Sequence, residues 1–255
     1  IKADEISGRV IIIPGMNYPA FKAGKRTSPI DGGNMNRVFP GNPEGTFTEK
    51  IADYFNRTLL PMADFVVDFH SGGKTLDFLP FCCAHVLDDK DQQEKCIAAM
   101  KAFNAPHSVM LLEIDAVNMY DTAAENMGKV FISTELGGGG STTAYTVEIA
   151  KKGIRNILRH AGITEGDLEV DETLNLDMPD DNCYIFSEST GLVEHCVDLG
   201  DEVKSGQLIA KVHNIERTGS PPDEYHAKID GIFTGKHFPG LVFNGDFLGV
   251  IAVPV

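Results

Sequence analysis

The sequence has no apolar run approaching the roughly 20 residues that a membrane-spanning helix requires. It also lacks the charged-then-apolar pattern of a secretory signal. Positive charge is scarce. There are 22 Lys and Arg against 37 Asp and Glu, a formal net charge of −15. Such a chain repels phosphate polyanions, which argues against nucleic acid and against an anionic membrane as partner, though not against a locally basic pocket. Cysteine is sparse and odd in number, at five. Cys82 and Cys83 in "FLPFCCAH" and Cys96 on a predicted helix face have apolar neighbours. They read as buried free thiols in a reducing cytoplasm, not as a disulfide framework. The first residue, Ile1, is not Met, so the expectation is that further residues precede it in the translated protein.

What is present is an ordinary globular balance. The 255 residues are 42% hydrophobic and 23% charged, enough for one large domain or two smaller ones. "RVIIIPGMN" (Arg9 to Asn17) reads as a buried parallel strand stopped by Pro-Gly. "TFTEKIADYFNRTLLP" reads as a helix, with Thr46 and Glu49 at capping-box spacing and Ile51, Phe55 and Leu59 on one face. "DFVVDFH" is a second buried strand and "LDFLPFCC" another. "DDKDQQEKCIAAMKAF" is a helix with Cys96, Met100 and Phe103 inward. "SVMLLEI" and "KVFIST" are short strands. "TTAYTVEIAKKGIRNILRHAG" is a long helix striped by Val147, Ile154, Leu158 and Ala161 and ended by Gly162. Strands alternating with helices predict an α/β domain over residues 1–163, with helices on both faces of a mostly parallel sheet.

After Gly162 the composition shifts. "TEGDLEVDETLNLDMPDDN" has acids and no Lys or Arg and reads as a solvated linker over 164–182. From 183 to 255 short strands and glycine turns predominate. "GDEVKSGQLIAKV" and "NGDFLGVIAV" look like two versions of one unit, so a small all-β barrel-like domain is expected.

Three constellations carry chemistry. His70, in "VVDFHSGG", stands at the carboxyl end of a strand, where ligands of open α/β sheets bind. Asp68 points the same way two residues earlier and can orient the ring. A hydrogen-bonded structural His is the alternative. In "GKRTSPIDGGNMNRVFPG", Arg26, Asn36 and Arg37 share one broken loop and suit a carboxylate, with surface ion pairing as the alternative. In "KVFISTELGGGGS", Glu135 follows a buried strand and suits a general base or metal ligand. The alternative is a carboxylate facing a helix N-terminus. The glycine run lacks the Lys-Ser/Thr of a phosphate-binding loop and the spacing of a dinucleotide fingerprint.

Together, "NMNRVFPG", "DFHSGG" and "TELGGGG" resemble the succinylglutamate desuccinylase/aspartoacylase branch of the zinc carboxypeptidase-like hydrolases, over nearly the whole chain. "TLDFLPFCCAH", "MYDTAAENMGK" and "STELGGGGS" resemble the N-acetyl-diaminobutyrate deacetylases of ectoine breakdown within it. The resemblance implies a zinc-carboxypeptidase-like αβα sandwich and one zinc ion. It implies His70 as a zinc ligand, Glu135 as general base and acid, and Arg26 as the group that polarises the amide carbonyl. Asn36 and Arg37 would bind the α-carboxylate of a small N-acyl amino acid, with Tyr120 nearby. The family's first two ligands come from a His-x-x-Glu motif, expected upstream of Ile1, so residues 1–255 are expected to be inactive alone. "HNIE" (His213 to Glu216) is a decoy in the β region.

Relatives that take dicarboxylic substrates are expected to carry another Arg after the Tyr. Here "YDTAAEN" offers Asp121 and Glu125, with Asp115 upstream, which suits a cationic substrate side chain. The β region resembles a lipoyl/biotinyl-type domain without the carrier lysine, and is expected to be a cap over the site or an assembly surface. Tyr225 is its one residue with reach toward the pocket. A homo-oligomer is compatible with all of this. The alternatives left open are a desuccinylase or aspartoacylase, a small-peptide carboxypeptidase, and a non-catalytic carboxylate-binding protein of the same fold.

Overall fold

Pro80 decides the topology. In the computed structural model, which describes residues 1–112 and 116–255, the run expected as one strand, "LDFLPFCC", is two. Proline has no N–H to give a ladder, and the chain breaks at Leu79-Pro80 into β2 (Leu76–Phe78) and β3 (Phe81–His85), which lie in different parts of the sheet. Preceding them are α1 (Tyr18–Ala23), α2 (Phe47–Tyr54) and β1 (Phe65–His70). Following them are α3 (Lys90–Phe103), β4 (His107–Leu111), α4 (Tyr120–Glu125), β5 (Val130–Glu135), α5 (Ala144–His160) and β6 (Leu174–Met178).

The central sheet runs β1-β5-β3-β4-β6. β1 is parallel to β5, and β3, β4 and β6 are parallel to one another. β3 is antiparallel to β5. The sheet is thus largely parallel, with one reversed junction beneath the site.

Sequence signals that rest on local chemistry are met. Thr46 and Glu49 form the capping box of α2, and Asp89 caps α3. Cys96, Met100 and Phe103 are buried. The stripe of α5 is rotated from the expected one. Its deepest residues are Thr146, Ile149, Gly153, Asn156, Ile157 and Leu158, because α5 approaches α3 through Gly153. Leu158 belongs to both stripes, whereas Ile154 and Ala161 lie on the wall of an open cleft.

One expected strand is absent. Arg9–Ile13 has no regular structure, and Ile12 is 70% exposed. A strand needs a ladder partner, and β1, the nearest candidate, pairs on one edge only, with β5. The isoleucines lie along the same cleft as β1.

The acidic stretch 164–182 is tied down. Glu169 pairs with Arg155 and Arg159. Asn156 donates to the Glu169 carbonyl and accepts from its N–H, both at 2.8 Å. Asn104 accepts from the Asp171 N–H. The chain then adds β6 to the central sheet.

The C-terminal region comprises β7 (Tyr184–Phe186), β8 (Gly191–His195), β9 (Glu202–Val203), β10 (Leu208–His213), β11 (Asp223–His226), β12 (Gly231–His237), β13 (Leu241–Val242) and β14 (Phe247–Pro254). β11-β10-β8-β13 form a four-stranded antiparallel sheet of their own. β14 pairs with β7 and β12, and its far end continues onto β6. The ladders enclose Ile185, Val203, Ile209, Phe233, Leu248 and Ile251. They belong to two sheets, one of them merged with the central sheet, where a small all-β barrel-like domain was expected. The two Gly-Asp turns read from the sequence are present, with Gly200 at φ 95° and Gly245 at φ 91°. No helix among the described residues is long and apolar enough to cross a membrane.

A Cβ on Gly153 would lie 2.2 Å from the Phe103 ring. Gly153→Ala is therefore expected to destabilise the fold by about 1–3 kcal/mol through overpacking, although alanine favours helix. The check is a lowered thermal midpoint that Phe103→Leu partly restores in the double variant.

Candidate active site

Side chains alternate along a strand, so the register of β1, β5 and β3 sorts one face into rows. Asp68 lies across from Ser133, and His70 across from Glu135. Cys83 pairs with Ser133 and Phe81 with Glu135 from the other side. One step further, His85 stacks on Phe131 at 6.3 Å between ring centroids. All of these line one cleft of about 1130 Å³. Arg26, Asn36, Arg37, Tyr120 and Asp121 line it too. Arg26, Asn36, Arg37, Asp68, His70, Tyr120 and Glu135, named from the sequence, therefore line the same cleft.

His70 Nε2 is 2.8 Å from Asp68 Oδ2. Partial burial works against a charged ring, but the hydrogen bond and charge of Asp68, with Glu135 and Asp121 behind it, outweigh that and hold His70 up at about 9. The Oε2 atom of Glu135 is enclosed, with no hydrogen-bond partner among the described residues. Burial raises its affinity for a proton, His70 and Arg26 oppose the rise and Asp68 adds to it, leaving Glu135 at about 7. Thr134 fixes the backbone between them: its Oγ1 accepts from the His70 N–H at 3.2 Å.

The glycines serve backbone approach. The Gly72 N–H donates to the Gly137 carbonyl at 2.9 Å, and the Gly139 N–H to the Leu76 carbonyl at 3.1 Å. A Cβ on Gly138 would sit 2.0 Å from the Leu76 oxygen, so only glycine lets the loop after β5 lie against the loop after β1.

Asn36 Oδ1 accepts from the Tyr120 N–H at 2.8 Å, which leaves its amide N–H groups to donate elsewhere. Arg37 Nη1 donates to the Asn36 carbonyl at 2.6 Å. Tyr120 packs among Phe39, Phe55 and Phe131, at 5.1, 5.9 and 5.9 Å between centroids. Burial, aided by the charge of Asp68, pushes its hydroxyl well above the ordinary tyrosine value.

Glu125 is taken: its Oε1 lies 2.8 Å from His85 Nδ1, both side chains buried. Asp115 lies outside the described residues. His213 bonds to Glu194 across the strands at 2.6 Å, in keeping with "HNIE" as a decoy. The Tyr225 hydroxyl is occupied by Ser189 and the Glu188 N–H.

Sequence reading passed over Cys83, His85 and Ser133. Strand alternation carried the signal: Cys83 and His85 are two apart, as are Ser133 and Glu135. Cys83 Sγ is 3.0 Å from Ser133 Oγ, and burial pushes the thiol up to about 12, so it lines the cleft as a neutral group.

Because Glu135 loses its proton near 4.5 in an unfolded chain and near 7 in the folded one, the folded state holds the extra proton between those values. Its burden is absent below about pH 4.5 and grows as pH rises through 7, to on the order of 3 kcal/mol. The metal-free chain is expected to lose stability over that window, and Glu135→Gln to flatten the loss. Denaturant midpoints measured from pH 4.5 to 7.5 check this; parallel curves for the two proteins would refute it.

Residues 1–161 match the family model for the succinylglutamate desuccinylase/aspartoacylase catalytic domain. The chain is 52% identical over 254 residues to N-alpha-acetyl-L-2,4-diaminobutyric acid deacetylase of Halomonas elongata, covering 99% of this chain and 74% of that protein. The product-bound structure of the ectoine utilization protein EutE (DoeB) from Ruegeria pomeroyi superposes with a TM-score of 0.96 at 62% identity, over 98% of this chain and 76% of that one. A crystal structure of a succinylglutamate desuccinylase from Silicibacter sp. TM1040 gives 0.95 at 59% identity, over 99% and 77%. These matches establish that the chain belongs to the succinylglutamate desuccinylase/aspartoacylase family.

Proposed function

We propose that this chain is a zinc-dependent amidohydrolase that removes the acetyl group from N-acetyl-2,4-diaminobutyrate. The observation that carries the reading is the Glu135 carboxylate. It is enclosed, unpartnered at Oε2, held near 7 and set across the sheet from His70. A carboxyl group balanced near neutrality can take a proton from an attacking water and return it to a leaving amine. The Halomonas and Ruegeria relatives, named for diaminobutyric acid deacetylation and ectoine utilization, support the substrate.

The donor set fits zinc in part. His70 offers an imidazole steadied by Asp68, the arrangement that orients metal-bound histidines. Among the described residues, however, no group of three His, Cys, Asp or Glu is placed to hold an ion. The proposal therefore includes two further ligands, of the His-x-x-Glu type expected upstream of Ile1. When bound, zinc supplies a more acidic water and polarises the amide carbonyl.

The other parts belong to this chain. Asn36 and Arg37 hold the α-carboxylate. The Arg26 guanidinium meets the negative charge that gathers on the carbonyl oxygen. Glu135 takes a proton from the water and delivers it to the amine nitrogen as the C–N bond breaks, releasing acetate and the free amino acid. The acids on α4 disfavour a second substrate carboxylate.

Acetate release by the metal-loaded full-length protein tests the reading. Glu135→Gln is expected to lower kcat by about 10²–10⁴-fold with its circular dichroism retained, and full activity in that variant would sink the mechanism. N-acetylaspartate is expected to be the poorer substrate, and faster cleavage of it than of N-acetyl-2,4-diaminobutyrate would overturn the substrate assignment.

A further inference from the structure

Resting on that reading, we infer that Asp121 is the residue that recognises the substrate's side-chain ammonium and sets the preference for a cationic amino acid. Asp121 stands in the first turn of α4, 9% exposed, on the wall of the cleft. Its Oδ1 accepts from the Thr122 N–H at 2.5 Å and from the Thr122 hydroxyl at 3.2 Å. Its Oδ2 has no hydrogen-bond or ion-pair partner among the described residues. That oxygen is open to a ligand that brings a cation.

The charge is directed into the cleft. The field of Asp121 is felt at His70 and at Cys83, on two different strands of the cleft floor. The neighbouring acids are committed elsewhere. Asp68 is hydrogen-bonded to His70, Glu125 is paired with His85 one turn along α4, and Glu135 is reserved for proton transfer. The floor beneath is small and polar without charge. The Ser133 hydroxyl and the Cys83 thiol lie 3.0 Å apart, and the hydroxyl is a further acceptor for an ammonium, which has three donors to place. Substrate orientation then follows from two ends of opposite sign: an α-carboxylate at Asn36 and Arg37, and an ammonium at Asp121.

The test compares N-acetyl-2,4-diaminobutyrate with N-acetyl-2-aminobutyrate, which has the same carbon chain and no ammonium. The enzymes are the full-length wild type and Asp121→Asn, which is isosteric and still accepts from Thr122. The wild type is expected to prefer the cationic substrate in kcat/KM by at least about 30-fold, the lower range for a desolvated charge pair, and Asp121→Asn to bring the ratio close to one, mostly through KM. If the variant keeps the wild-type ratio, or if both substrates fall in parallel, Asp121 does not read the ammonium and the inference is overturned while the proposed activity stands. If the wild type shows no preference for the cationic substrate, both fall. Should Asp121→Asn not fold, Asp121→Ser takes its place. Inhibition of the wild type by 2,4-diaminobutyrate against 2-aminobutyrate then adds a second readout: at least tenfold tighter inhibition by the former is expected, and equal inhibition overturns the inference.

Discussion

The parallel register of β1 on β5 is the constraint from which the rest of the site follows. It sets His70 opposite Glu135 and Asp68 opposite Ser133. Because side chains alternate, a slip of one residue would turn Glu135 away from the cleft while His70 stayed. The register is held beyond the last paired residues. The Leu136 N–H donates to the His70 carbonyl at 3.0 Å, continuing the ladder one step past the strand. β3 covers the other edge of β5, with Phe81 alongside Glu135. That flanking encloses Glu135 Oε2, and enclosure raises its proton affinity toward neutrality. Backbone pairing thus reaches the chemistry mainly through burial, the largest cause of the shift, to which the charge of Asp68 adds.

The loops that carry His70 and Glu135 onward are supported by the C-terminal strands. β2 begins six residues after His70 and pairs with β12, Leu76 against His237 and Asp77 against Lys236. The Phe238 N–H donates to the Thr75 carbonyl at 2.8 Å, and a Cβ on Gly139 would contact the Phe238 ring at 3.5 Å. The β region was expected as a cap or an assembly surface joined by a solvated linker. Its β12 and β14 instead extend the sheet that holds the site. Anchoring a glycine-rich loop in this way reduces the conformational freedom that glycine otherwise brings, so the same loop can be both close-packed and fixed.

Local chemistry was legible in the sequence, and so was a set of residues that line one cleft. The capping box of α2, the inward face of α3 and the Gly-Asp turns each depend on residues a few positions apart. His70, Glu135, Arg26, Asn36, Arg37 and Tyr120 could be named because strand ends and broken loops are recognisable as such. What failed depended on partners distant in the chain. "RVIII" has strand composition, but no strand lies beside it. "LDFLPFCC" was read as one strand because its apolar run hides the break that Pro80 makes. The stripe of α5 was misplaced by one face because Gly153, which carries no apolar signal, is where Phe103 packs. Asp121 and Glu125 look alike in sequence, and they separate only when His85, forty residues upstream of Glu125, is seen to hold one and not the other.

That separation gives the cleft its electrostatic logic. A chain with a net charge of −15 lines one cleft with Arg26, Asn36 and Arg37 and also with Asp68, Asp121 and Glu135. Three carboxylates face one imidazole, which is why His70 is held at about 9 despite partial burial. These three acids share the cleft with the Arg26 and Arg37 guanidiniums and the His70 ring, so acids and cations are matched in number there. Two kinds of guest would bind the acids: a cation at His70 beside Asp68, and a cationic group at Asp121. The first would displace the ring's shared proton and leave Glu135 free to exchange one. The second would neutralise an acid that takes no part in proton transfer. A substrate with a carboxylate at one end and an ammonium at the other matches both ends, whereas a second carboxylate would meet Asp121 with the wrong sign. On the proposed reading, repulsion of a second carboxylate would add to the selectivity that attraction of a cation provides.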